Sequence, residues 1–163
     1  MKNMKRFAGL LALSFVAISC AAANGDGEQP AADPSAAIIW SGETVVFTKA
    51  EGADPALEEN QDRITDNVWI TRGNGGGQIF NIAENSRAVK AISPAGTLWA
   101  VGTTDEIDSL QFAPFRTAVG QPKGVVGRNL VMFIEDEGIY IDVTFLSWST
   151  NKAGGFSYER STP

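Results

Sequence analysis

The clearest periodicity in the chain runs from Ile139 to Trp148, IYIDVTFLSW. Ile139, Ile141, Val143 and Phe145 fall on one face; Tyr140, Asp142, Thr144, Leu146 and Trp148 fall on the other. A sustained period of two predicts a strand with one apolar face, because successive side chains of an extended backbone point to opposite sides. The run Leu130–Glu135 (LVMFIE) precedes it, and Asp136-Glu137-Gly138 between them predicts the turn of an antiparallel hairpin. Residues 151–155 predict a further turn, and Phe156–Arg160 (FSYER) a last strand with Phe156 and Tyr158 on one side.

Earlier segments follow the same pattern more weakly. Ile38-Ile39-Trp40 and Thr44–Thr48 are rich in β-branched and aromatic residues, which suit a pleated, half-buried surface. Residues 49–66 are polar and contain Asp54-Pro55, so they predict a long loop, with a helical turn near 56–60. Asn67–Thr71 (NVWIT) and Gln78–Ile82 (QIFNI) flank the turn Gly73-Asn74-Gly75-Gly76-Gly77 and predict a second hairpin. Further strands are expected at Thr97–Val101, around Ser109–Phe112, and at Phe115–Val119. No segment beyond the N-terminal stretch shows a helical period. About eight or nine short strands with frequent turns predict an all-β fold, an antiparallel β-sandwich, with a β-barrel as the alternative.

The N-terminus has a different pattern. MKNMKR carries Lys2, Lys5 and Arg6 and no acid, an apolar run extends from Phe7 to Ile18, and Ser19-Cys20 leads into a string of alanines. A basic start, a short apolar stretch and small residues at its end predict a secretory signal peptide over residues 1–19. The stretch Ala17-Ile18-Ser19-Cys20 resembles the lipobox of bacterial lipoprotein signals, with Ala17 standing where that signal usually has leucine. The resemblance implies cleavage before Cys20, a diacylglycerol on its sulfur, and acylation of the new amino terminus with a fatty acid such as palmitate. Cys20 is the only cysteine, so it has no intramolecular disulfide partner, and lipidation accounts for it. Each buried methylene contributes roughly 0.8 kcal/mol, and more than one chain is needed for stable anchoring, which a triacylated cysteine supplies. Residues 20–37 then read as the lipidated cysteine and a polar, proline-bearing tether spanning about 20–25 Å, and residues 38–163 as the β domain. The expected address is the cell envelope; Ala21 after the cysteine favours the outer membrane if the organism is diderm.

Composition narrows the chemistry. Losing Lys2, Lys5 and Arg6 with the signal takes the formal net charge from −6 to −9, a surface that repels nucleic acid. Histidine is absent, which excludes a Ser-His-Asp or Cys-His pair and histidine-ligated metal sites.

The segments ENQDRITDNVWITRGNGGGQIFNI (59–82), SPAGTLWAVGTT (93–104), IYIDVTFLSWS (139–149) and GGFSYERSTP (154–163) resemble a family of exported, uncharacterised bacterial β domains. Its members place similar runs in this order, with a Gly-rich stretch before a closing F-S-Y-x-R. The resemblance covers about Thr44 to Pro163, implies a secreted β domain, and supplies no activity and no catalytic residues.

Three constellations remain as candidate sites. Glu58, Glu59, Asp62 and Asp66, with Asn60, Gln61 and Asn67, make an oxygen-rich loop of the kind that holds structural calcium, although the EF-hand spacing is missing. The competing reading is a solvated loop in which Arg63 pairs with a neighbouring acid. Trp69, Tyr140, Asp142 and Trp148, with Trp99 and Tyr158, are candidates for an aromatic platform that stacks on sugar rings, against the reading that tryptophans fill the core. Glu135, Asp136, Glu137 and Asp142 are the carboxylates that a glycan hydrolase would need, although acids at a hairpin turn are usually just solvated. The Gly73–Gly77 stretch lacks the pattern of a phosphate loop and reads as a turn. The leading expectation is a non-enzymatic, membrane-anchored lipoprotein whose β domain binds a glycan or an envelope protein, or is structural; the alternative is a carboxylate-dependent glycan hydrolase.

Overall fold

The computed structural model describes residues 37–163; the expected signal peptide, Cys20 and the expected tether up to residue 36 lie outside the described residues. Nine strands follow in order: β1 (Ile38–Trp40), β2 (Val45–Lys49), β3 (Asp62–Arg63), β4 (Trp69–Arg72), β5 (Ile79–Asn81), β6 (Thr97–Val101), β7 (Asn129–Ile134), β8 (Ile139–Trp148) and β9 (Phe156–Arg160). Six of them form a sheet in the order β2-β9-β8-β7-β6, with β1 lying parallel to the start of β8. β7 occupies one edge of β8 and β9 pairs with its second half, so β1 fills the stretch of edge that β9 leaves open. The other three strands make a small antiparallel sheet, β3-β4-β5. Neither sheet closes on itself, so the fold is a β-sandwich and the barrel alternative does not hold.

The period of two in β8 explains the packing. Ile139, Ile141, Val143 and Phe145 are buried, as are Leu130 and Met132 of β7 and Phe156 and Tyr158 of β9. They form one apolar cluster with Ile70 and Ile79 of the smaller sheet and with Ile64 and Val68 of the turn joining β3 to β4, so the two sheets share a single core. Trp99 of β6 lies at its centre, fully buried, with its ring edge-on to Phe115 at 5.0 Å. Aromatic pairs in this geometry stabilise beyond the area they bury.

The chain departs from the sequence expectation in four places. Phe115–Val119 is a short α-helix, α1, and not a strand. Pro114 precedes it, Gly120 follows at φ 76°, and Phe115 and Val119 are buried one turn apart. The β-branched and aromatic composition of FRTAV suggested a strand, but the Pro…Gly bracket and the i, i+4 apolar pair decide for a helix. The segment around Ser109–Phe112 is not a strand either: 3₁₀ turns run from Thr104 to Ser109, and Ala113 alone bridges to Trp99. The loop expected over 49–66 contains a 3₁₀ turn at Glu58–Asn60, within the region foreseen as a helical turn, and also the two-residue strand β3. Finally, a bulge between Phe145 and Ser147 breaks the alternation of β8, so Trp148 turns toward the core instead of joining Tyr140 and Asp142.

Candidate functional site

The sandwich interior carries charged residues at positions whose register is apolar. Asp62 is paired with Ile70, Arg72 with Ile79, Lys49 with Phe156 and Arg160 with Val143, so all four point between the sheets. They resolve into two groups of opposite character.

The first group is neutralised. Asp62, 7% exposed, accepts from Arg160 Nε at 2.7 Å and Nη2 at 2.9 Å, and from the Tyr158 hydroxyl at 2.6 Å. A bidentate pair with a third donor satisfies the carboxylate in a dry setting. Burial lowers the hold of Arg160 on its proton, but the hydrogen bonds and charge of Asp62 outweigh it and leave the guanidinium above its ordinary value. Burial, with the charge and hydrogen bond of Asp62 adding to it, holds the Tyr158 phenol well above the ordinary tyrosine range. Because the folded value is raised, the stability this phenol contributes is present below about pH 10 and is lost as the pH climbs above it. In a Tyr140→Phe chain Tyr158 is the single tyrosine. Its phenolate absorbance is expected to stay absent beyond pH ~10 and to rise only with loss of the near-ultraviolet circular dichroism. Ionisation at that pH with the fold intact would contradict this environment.

The second group is not neutralised. Lys49, 1% exposed, donates to Asn74 Oδ1 at 3.0 Å and to the Gly154 carbonyl at 3.3 Å. Arg72, 4% exposed, donates through Nε to the Gly77 carbonyl and through Nη1 to the carbonyls of Ser149 and Gly155. Its guanidinium carbon sits 4.0 Å above the Trp148 ring, in cation–π range. Burial first and the charge of Arg72 second hold the Lys49 ammonium below the ordinary lysine value, against a smaller upward pull from Asp54. Among the described residues the ion pairs are Arg63–Glu58 and Arg160–Asp62, so neither Lys49 nor Arg72 has a carboxylate partner there. Asn74 ties three turns together here, donating also to the Gly52 and Ala53 carbonyls. Gly154 has φ 74°, and a Cβ there would collide with Asn74 and the Gly73 carbonyl, so the turns at 73–77 and 151–155 pack backbone to backbone.

The sequence candidates fall elsewhere or change role. Asp62 is the centre of the neutral group above, both its oxygens already accepting hydrogen bonds from Arg160 and Tyr158, while Glu58 pairs with Arg63 at 3.0 Å. Glu59 and Asp66 are exposed, and no group of three or more acidic or sulfur side chains among the described residues is placed to hold a metal. The calcium loop therefore has no assembled donor set, and the competing Arg63 pairing is the one formed. The aromatic platform is not assembled either. Trp69 lies on the smaller sheet, half-buried under Arg63, and its indole N–H donates to the Thr65 carbonyl. Tyr140 stacks on Phe133 at 4.4 Å on the outer face of the larger sheet, with Phe112 against its edge. Asp142, on that same face, accepts from the backbone N–H and hydroxyl of Thr104 at 2.8 and 2.7 Å and so pins the 3₁₀ segment to the sheet. Trp148 supports Arg72; Trp99 and Tyr158 are core.

Of the turn acids, Asp136 and Glu137 line a cleft with Glu84, Asn67 and Asn81, and Glu137 accepts from the Thr65 hydroxyl at 2.7 Å. Asp142, bound to Thr104, belongs to a separate cleft. Lys49 and Arg72 escaped the sequence reading. The signal was there: each ends a strand at the inward phase set by Phe47 and Ile70, where an apolar residue is the default. A scan against protein-family models gives no match, and searches of the curated proteins and of the solved structures give none either.

Proposed function

We propose that the chain is an exported lipoprotein, held in a membrane by acyl chains on Cys20, whose β-sandwich is a non-enzymatic binding or structural module of the cell envelope. The observation that carries this reading is the order of segments. A basic start and an apolar run end at a lone cysteine, a polar, proline-bearing stretch follows, and Ile38 opens the first strand among the described residues. Partners at the envelope would be a glycan or another envelope protein.

Membrane fractionation with mass spectrometry of Cys20 tests the anchor. The wild-type chain is expected in the membrane fraction with its cysteine carrying diacylglycerol and an N-linked acyl group. The Cys20→Ser chain is expected in the soluble fraction, because losing the acyl chains removes the buried methylenes that hold it. An unmodified thiol, or a Cys20→Ser chain just as firmly membrane-bound, refutes the reading.

A further inference from the structure

The two buried cations without counterions are the least expected feature of this sandwich. At one end the fold buries Arg160 and places Asp62 against it; at the other it buries Lys49 and Arg72 and sets neutral carbonyls, Asn74 and the Trp148 ring around them. Buried charges are costly unless paired, and like charges side by side raise the cost further. Arg72 Nη2 takes no protein acceptor among the described residues, so the guanidinium keeps donors to offer.

The surroundings extend the same bias. Trp148 is shared by two open clefts. One is lined by Arg116, Gln121 and Lys123 beside Gly77. The other is lined by Lys49, Ser147 and Ser149. The stem of Lys152 lies against Gly76, at the same turn. The acids nearby are Glu51, which lines the second cleft, and Asp54. In a chain of net charge −6, this end of the sandwich thus gathers cations in excess of acids. A negative surface elsewhere would repel a polyanion and leave this end as its landing place.

We infer that the clefts meeting at Trp148 bind an acidic polysaccharide, whose anionic groups face Arg116 and Lys123 in one cleft and Lys49 in the other, with Arg72 stacked on the shared Trp148 ring adding positive charge. Two adjoining clefts suit an extended chain better than a single ion. Ser147, Ser149 and Gln121, which line the same clefts as the cations, match the hydroxyl groups that a saccharide presents along with its charges. The anionic groups are carboxylates or phosphates, both of which a guanidinium receives through parallel N–H donors. This inference names a ligand class for the binding reading of the β domain and rests on that reading, but it does not need the lipid anchor.

The test uses the full chain carrying Cys20→Ser, so that no acyl chain contributes to binding and the anchor is judged separately. Titration calorimetry with polygalacturonate and with a phosphorylated dextran is expected to show binding that weakens with added salt. Uncharged dextran is expected to show none. Removing two cations with Arg116→Ala plus Lys123→Ala, positions outside the core, is expected to weaken binding by about tenfold or more. Arg63→Ala, which removes a cation that lines neither cleft, is expected to leave affinity unchanged, with melting curves checking the fold of each chain. Binding to neither acidic polymer, equal binding to uncharged dextran, or full affinity in the Arg116/Lys123 double variant overturns the inference. So does binding to phosphatidylglycerol vesicles in place of both polymers, which would make the ligand a lipid surface.

Discussion

Replacing Asp62 with alanine is expected to destabilise the fold by about 3–5 kcal/mol, the range for removing one partner of a buried ion pair. The carboxylate accepts three hydrogen bonds, two from Arg160 and one from Tyr158, and it joins β3 of the small sheet to β9 of the large one. Without it, a guanidinium and a phenol are left buried and unpaired between the sheets, and each must be desolvated with nothing in return. Urea unfolding followed by tryptophan fluorescence checks this through a fall in the midpoint at unchanged slope. The pair also makes a cycle: Asp62→Leu with Arg160→Met is expected to cost less than the sum of the single changes, because the double variant leaves no orphaned charge. A loss below about 1 kcal/mol in Asp62→Ala would mean that water replaces the carboxylate, and that the two sheets are not sealed there.

Trp99→Ala is expected to cost a similar amount, about 3–5 kcal/mol, by a different mechanism. Trp99 is 0% exposed, with Phe115 and Phe145 at ring-centroid distances of 5.0 and 6.4 Å and its indole N–H given to Thr97 Oγ1. Truncation removes apolar contact and leaves a cavity that β6 and α1 can only partly collapse. Phe115 is expected to lose its packing in the same step, so α1 should fray before the sheets unfold. Hydrogen exchange should show this as faster exchange at the Thr117 and Ala118 amides, which bond back to the Pro114 carbonyl. Unchanged protection there, or a stability loss below about 1 kcal/mol, would contradict the central place given to Trp99.

How much of this was legible before the fold is plainest in β8. Its alternation announced a strand with Ile139, Ile141, Val143 and Phe145 inward, and that is how it packs. The hairpin at Asp136–Gly138 and the pair NVWIT/QIFNI were equally readable, because turn chemistry and flanking periodicity agree. Reading failed where two local signals competed. FRTAV has strand-like composition but helix-like punctuation, and the punctuation prevailed. Trp148 shows a second kind of failure. Parity along the sequence places it beside Tyr140 and Asp142, and a bulge that no local residue pattern announces turns it over.

Candidate sites were less legible than strands, for a related reason. Proximity in sequence made Glu58, Glu59, Asp62 and Asp66 look like one donor set, yet Asp62 and Glu58 answer to different neighbours and Glu59 and Asp66 are exposed. Asp62 goes to a strand almost a hundred residues away, a separation of 98 to Arg160, and Glu58 to Arg63. Lys49 and Arg72 look unremarkable as strand-end cations, and only the stacking of the sheets shows that both are buried together.

Local periodicity and turn residues by themselves determined that this chain makes antiparallel strands, and which face of most of them is apolar, because alternation and turn geometry act over a few neighbouring residues. The N-terminal pattern likewise set the expectation of export and lipidation without reference to any fold. Which sheet each strand joins, where Trp148 points, and which charges are matched across the sandwich were decided by tertiary structure alone. Those outcomes depend on bulges and on contacts between residues far apart in sequence, where burial makes a partner's presence or absence cost several times what it would cost in water.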